Sequence, residues 1–120
     1  MGEIRTFRDL IAWQKAMALT KAVYRATSAM PESERFGLTN QMRRAAVSVP
    51  SNIAEGHGRQ STKDYVRCLR IARGSLAELA TQMELASELS FVRFDSPTME
   101  LLAETDRVLQ GLIRSLKKFE

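Results

Sequence analysis

The chain has 120 residues, of which 44% are hydrophobic and 27% charged, and its formal net charge is +4. This length and balance suit one soluble domain, 1–120, able to bury roughly 65% of its unfolded surface, and leave no low-complexity tract. A lone cysteine, Cys68, excludes an internal disulfide framework and a cysteine-rich metal site.

The first helix is predicted from two adjacent apolar stripes, Leu10, Trp13, Met17, Thr20 and Tyr24 beside Ala16, Leu19, Val23, Ala26 and Met30. Met30-Pro31 should end it, since a residue before proline is pushed out of the helical region. Glu32 to Gly37 reads as a loop. The second helix is predicted from Leu38 to Glu55, with Leu38, Met42, Ala45, Val49 and Ile53 inward and Thr39 as N-cap. Pro50 removes one backbone donor and crowds the Ala46 carbonyl, so the helix either kinks or breaks there. The apolar spacing stays in phase through Ile53, which favours a kink. Gly56 and Gly58 then read as a flexible stop.

The third helix opens with Ser61 or Thr62 as cap and Asp64 in its first turn. Tyr65, Leu69, Ala72, Leu76, Leu79, Met83 and Ala86 follow the 4-3-4-3 spacing of packed bundle helices, with Ile71, Leu85 and Leu89 as a partial second stripe. Phe91 to Pro97 is a turn region, and Pro97 sits where a first helical turn tolerates proline. The fourth helix turns Leu102, Leu109, Ile113 and Leu116 inward, with Leu101, Val108 and Leu112 adjacent. Short connections and the absence of alternating strand patterns predict an all-α fold, an antiparallel up-down-up-down four-helix bundle.

The opening Met1-Gly2-Glu3-Ile4-Arg5 lacks the apolar run of a signal peptide, and the uncharged stretch Ala45–Ala54 is too short to span a bilayer. A cytoplasmic location without membrane partners is therefore expected. Charge is polarised along the chain. Arg35 to Arg73 holds eight basic residues against Glu55 and Asp64, a net of +6, while Gly74 to Asp106 holds seven acidic residues against Arg93, a net of −6. Such an asymmetry can steer a polyanion to one end or pair subunits head to tail.

Arg43, Arg44, Arg59, Lys63, Arg67, Arg70 and Arg73 are the candidate nucleic-acid-binding residues, because guanidinium forks match phosphate oxygens. Lys63, Arg67 and Arg70, at four- and three-residue steps, share one helical face. The bland reading of the same residues is a solvated face with local pairs such as Glu55–Arg59. Aromatic stacking platforms are missing from this region apart from Tyr65, which belongs to the apolar seam, so base-specific reading of single strands is not expected. Asn52 and Glu55, three apart, are read as a structural polar motif serving backbone groups freed by Pro50, or a neighbouring helix. His57 lacks convergent ligands, Cys68 reads as a buried thiol, and Gly56-x-Gly58 has no preceding strand. No catalytic group, metal, cofactor or small-molecule substrate is therefore expected, and the chain is read as not an enzyme.

One run is more specific than the rest: Ser48-Val49-Pro50-Ser51-Asn52-Ile53-Ala54-Glu55-Gly56, followed by Gly58 and Arg59. With Phe7, Leu10, Trp13, Gln14 and Ala16 before it, Gln41, Arg43, Arg44 and Ala45 beside it, and Tyr65, Leu69, Ala72, Gly74, Ser75, Glu78 and Leu79 after it, this run resembles the small four-helix-bundle proteins encoded within intervening sequences of 23S rRNA genes. The resemblance implies a helical bundle assembling into a barrel-like homopentamer. It also implies kinship with the accessory protein of diversity-generating retroelements, whose basic pentamer surface binds nucleic acid. The wide apolar faces of the first and third helices, including Trp13, Leu85 and Leu89, then become candidate subunit contacts, or else pack under the loop Phe91–Phe94. Two functions follow as expectations: contact with RNA or DNA phosphates, or a scaffold whose basic patch docks an acidic protein.

Overall fold

In the computed structural model, which describes residues 3–119, every regular element is helical among the described residues. The leader reading rests partly on Met1 and Gly2, which lie outside that range. A one-turn 3-10 helix, Phe7–Asp9, precedes α1 (Ile11–Thr27), and a second one, Glu32–Glu34, precedes α2 (Leu38–His57). Then come α3 (Thr62–Glu88) and α4 (Ser96–Lys117). Helix α2 lies against α1 and α3, and α4 lies against the same two. No helix among the described residues is long and apolar enough to cross a membrane.

The first turn is an element that apolar spacing does not announce. The Thr6 hydroxyl accepts the Arg8 amide at 3.1 Å, while the Asp9 carboxylate accepts the Arg5 amide at 2.8 Å and the Thr6 amide at 3.1 Å. The Thr6 and Arg5 amides hold the Asp9 carboxyl below its ordinary pKa. Phe7 thereby meets Trp13 edge to face, with ring centroids 5.3 Å apart. Trp13 is half-buried against its own N-terminal turn. Of the second stripe predicted for α1, Ala16, Leu19 and Val23 are buried and Ala26 and Met30 half-buried. Ala12 and Thr27, in neither stripe, are also buried, and of the first stripe Leu10 reaches the core while Tyr24 is exposed.

Helix α1 stops at Thr27, three residues before Met30, and unwinds through turns joining Ala29 to Ala26 and Met30 to Thr27. Helix α2 begins as predicted at Leu38, but Thr39 does not cap it. Thr39 is buried with its hydroxyl unpartnered, and the Glu34 carboxylate of the preceding turn accepts the Leu38 amide at 3.1 Å.

Pro50 leaves α2 continuous. The carbonyl that has lost its donor, that of Ala46, lies 3.1 Å from the Thr20 hydroxyl of α1, which it shares with the Ala16 carbonyl at 2.8 Å, so a neighbouring helix partly fills the gap. Of the two glycines read as a flexible stop, Gly58 does cap α2, whose last residue, His57, lies two beyond the predicted end at Glu55, but without a positive φ, whereas Gly56 is buried within the helix. A Cβ on Gly56 would lie 2.8 Å from Cys68 Cβ and 3.2 Å from the Tyr65 carbonyl oxygen, so glycine is there to let α2 and α3 touch.

Helix α3 carries the expected seam, with Leu69, Ala72, Leu76, Leu79, Met83 and Ala86 buried, and adds Val66, Cys68 and Gln82 to it. Ser61 caps it by accepting the Asp64 amide at 3.0 Å. Its end is a Schellman turn: the Phe91 amide reaches the Ala86 carbonyl and Ser90 takes φ 61°. In α4, capped by Asp95, two of the buried positions are the threonines Thr98 and Thr105 rather than leucines. Thr105 returns its hydroxyl to the Leu101 carbonyl at 2.7 Å. Buried residues of all four helices form one apolar cluster.

Candidate nucleic-acid interface

Three of the seven predicted cations share one exposed face. Lys63, Arg67 and Arg70 follow the α3 cap at successive turns, and none has a hydrogen-bond or ion-pair partner among the described residues. Their rise along the axis is about 6 Å and then about 4.5 Å. Cys68, beside them in sequence, points the other way and is buried. Helical periodicity continues their face to Gly74, Ala77 and Thr81 and then to Glu84, Leu85 and Glu88, all exposed. A single face of α3 therefore runs from cationic to acidic along its length.

The other four are distributed elsewhere. Arg73 donates from Nε to Asp106 Oδ1 at 2.7 Å and from Nη2 to Asp106 Oδ2 at 3.3 Å, a bidentate tie from α3 to α4. That guanidinium holds the Asp106 carboxyl below its ordinary pKa, aided by Gln110, and the carboxylate in turn raises Arg73. Arg59 pairs with Glu55 across one turn at the end of α2. Arg43 is half-buried and spans to α1: its Nε donates to the Thr27 hydroxyl at 2.9 Å, its Nη2 to the Tyr24 carbonyl at 3.2 Å, and its guanidinium lies 4.6 Å from the Tyr24 ring centroid. Together with the Ser28 hydroxyl it serves the Tyr24 carbonyl in the last turn of α1. Arg44 alone of these four is exposed and unpaired among the described residues. It lines a groove with Glu78 and Gln82, about 22 Å along α3 from Lys63.

Asn52 does not serve the carbonyl freed by Pro50. Its Nδ2 donates to the Ser48 carbonyl at 2.8 Å and lies 3.0 Å from the Ser48 hydroxyl, which meets the Ser75 hydroxyl of α3 at 2.8 Å. The chain Asn52–Ser48–Ser75 thus crosses between helices. Glu55 is exposed and faces Arg59. His57 sets its ring edge-on to Tyr65 with centroids 5.9 Å apart. The Leu85 and Leu89 side chains are 46% and 51% exposed, so the loop Phe91–Phe94 does not cover them.

Phe36 is an aromatic within the basic segment that sequence reasoning passed over. It is 85% exposed, at the end of the groove that holds Arg44, with the Arg35 guanidinium 5.2 Å from its ring centroid. The signal was available: a phenylalanine between Arg35 and Gly37, outside every apolar stripe, has no core position to fill.

The family described as 23S rRNA-intervening sequence protein matches residues 8–114. The chain belongs to that family. No curated protein matches it. The 23S rRNA-intervening sequence match begins just after Phe7 and ends within α4, so all seven candidate cations, Asn52 and Glu55 lie inside it.

Proposed function

We propose that this family member is a non-catalytic cytoplasmic protein that contacts RNA or DNA phosphates through Lys63, Arg67 and Arg70 and works as a ring of five copies. The observation that carries the reading is the triplet of exposed, unpaired cations on one face of α3. Arg44 is a second, separate cation available to a polyanion, whereas Arg43, Arg59 and Arg73 are engaged within the fold. The family name adds a ribosomal RNA context. The ring and the kinship with the retroelement accessory protein extend the sequence resemblance. Ring assembly is favoured by Ile71, Leu85, Leu89 and Met99, large apolar side chains left exposed on α3 and α4.

An up-down-up-down order of antiparallel helices underlies this reading. Its support is the pairing of early with late residues: Thr20 with Ala46 and Thr27 with Arg43 between α1 and α2, and Ser75 with Ser48 and Cys68 with Gly56 between α2 and α3. Lys15 meets Glu104 at 2.6 Å between α1 and α4.

The test is a salt titration of binding to duplex DNA and to structured RNA. Three phosphate contacts per bound subunit predict a log–log slope near −2.7 on duplex DNA, with little dependence on sequence. No shift at ~100 mM salt and tens of micromolar protein would overturn the proposal and leave an acidic protein as the partner of these cations. Light scattering should return five times the 13.5 kDa chain mass, and a stable monomer at micromolar concentration would remove the ring.

A further inference from the structure

The groove between α2 and α3 has a volume of about 460 Å³, within the range of small-ligand sites, and its lining is unusual for a helix–helix seam. Gln82 projects into it from α3, only 8% exposed, and its Oε1 has no hydrogen-bond partner. A buried acceptor without a donor is uncommon in folded proteins, and here it lies at the wall of the groove, where a turn of the Gln82 amide would present it to a ligand. One turn before it, Glu78 is exposed in the same groove, while Arg44 faces both from α2 without forming an ion pair to either helix among the described residues. At the end of the groove Phe36 offers an aromatic face. Arg35 covers one side of that ring, which leaves the other side for a planar ligand.

Each of these features selects a part of one molecule. A guanidinium selects an anion such as phosphate. An open aromatic face selects a flat ring and stacks on it. A carboxylate and an orphaned amide oxygen are both acceptors and favour a ring with donors at its edge, while Asn40 and Gln41 in the same lining can serve its remaining polar atoms. Among nucleobases, guanine places two neighbouring donors, N1–H and the N2 amino group, on its Watson–Crick edge. Adenine and cytosine offer one amino group each, and uracil one N–H flanked by carbonyls.

We propose that this groove binds an unpaired guanine nucleotide, with the base stacked on Phe36, its donor edge on Glu78 and Gln82, and its phosphate on Arg44. The proposal deepens the nucleic-acid reading, on which it rests for the polymer that would carry the base. It places base recognition in a groove separate from the phosphate-contacting face of α3. A duplex hides this edge of guanine, so the groove selects single-stranded or looped segments.

The experiment titrates the full-length protein with guanosine, adenosine, cytidine and uridine 5′-monophosphates and with inorganic phosphate, read by calorimetry or amide chemical shifts. The guanine nucleotide should bind at least tenfold tighter than the other three, and phosphate should bind weakest. Phe36→Ala and Gln82→Leu should each weaken guanine nucleotide binding about tenfold or more. Phe36 is exposed, so its variant folds and keeps the test sound even where Gln82→Leu perturbs packing. Equal affinity for all four nucleotides, no binding at millimolar concentration, or full binding by Phe36→Ala would each overturn the proposal. Duplex binding without nucleotide binding overturns the groove alone; nucleotide binding without polymer binding overturns the broader function alone.

Discussion

Gly56 and Gly74 sit in helical surroundings that demand opposite responses to the same substitution. At Gly56 a new methyl would lie 2.8 Å from Cys68 Cβ, 3.0 Å from Tyr65 Cδ1 and 3.2 Å from the Tyr65 carbonyl oxygen. Two of those atoms belong to the frame of α3 and cannot swing aside, so α2 and α3 must part. Overpacking of this kind costs about 1–3 kcal/mol. Replacing a helical glycine by alanine returns about 1 kcal/mol in propensity. The net expectation for Gly56→Ala is a loss of up to about 2 kcal/mol, or a fall in Tm of up to about 8 °C for a chain of this size. At Gly74 nothing lies within 4 Å of the added Cβ, and the position is exposed in the middle of α3. Gly74→Ala should therefore gain about 1 kcal/mol. Urea denaturation followed by far-ultraviolet circular dichroism, at one protein concentration for all three chains, measures both. A Gly56→Ala chain stabilised as much as Gly74→Ala would refute the close approach of α2 and α3.

Thr20→Val should cost about 1 kcal/mol by stripping the Ala46 carbonyl of its donor, and the cost should shrink in a Pro50→Ala background, where the backbone amide returns. Equal costs in both backgrounds, in a double-mutant cycle by denaturation, would show that Thr20 does not answer Pro50. Ser90→Gly should stabilise by about 1 kcal/mol, because Ser90 holds φ 61°; an unchanged urea midpoint would contradict this. Asp106 has its pKa depressed by Arg73, so the pair stabilises above the ordinary carboxylate range and that contribution fades as pH falls through the depressed value. Asp106→Asn should accordingly lower the urea midpoint at pH 7 and leave it unaltered near pH 2, with an effect of about 0.5 kcal/mol for so open a pair.

Local rules made much of the fold legible. The α3 seam, the Ser61 cap, Pro97 in the first turn of α4 and the phase of α2 through Pro50 all depend on neighbours within one or two turns. What was not legible depends on partners distant in sequence. Thr20 answers Pro50 from another helix, Gly56 is glycine because of Cys68 and Tyr65, and buried Thr98 and Thr105 break the leucine pattern of α4. The candidate interface divided for the same reason. Spacing placed Lys63, Arg67 and Arg70 together, but only tertiary structure turns Arg43 to Tyr24 and Arg73 to Asp106. Arg59 was the exception, since its pairing with Glu55 lies one turn away and was readable from the sequence.

The division between free and engaged cations is the most direct handle on function. Removing three phosphate contacts at ~100 mM salt should cost about 3–4 kcal/mol by counterion release, on the order of 100-fold or more in affinity. Lys63→Gln/Arg67→Gln/Arg70→Gln should show that loss for RNA in a filter-binding or anisotropy titration, with helicity unchanged. Arg59→Gln/Arg73→Gln, which removes two equally basic but internally paired residues, should bind within about twofold of the parent, because paired charges release few counterions. Equal losses in the two variants, or full binding by the first, would contradict the assignment of phosphate contact to the outer face of α3.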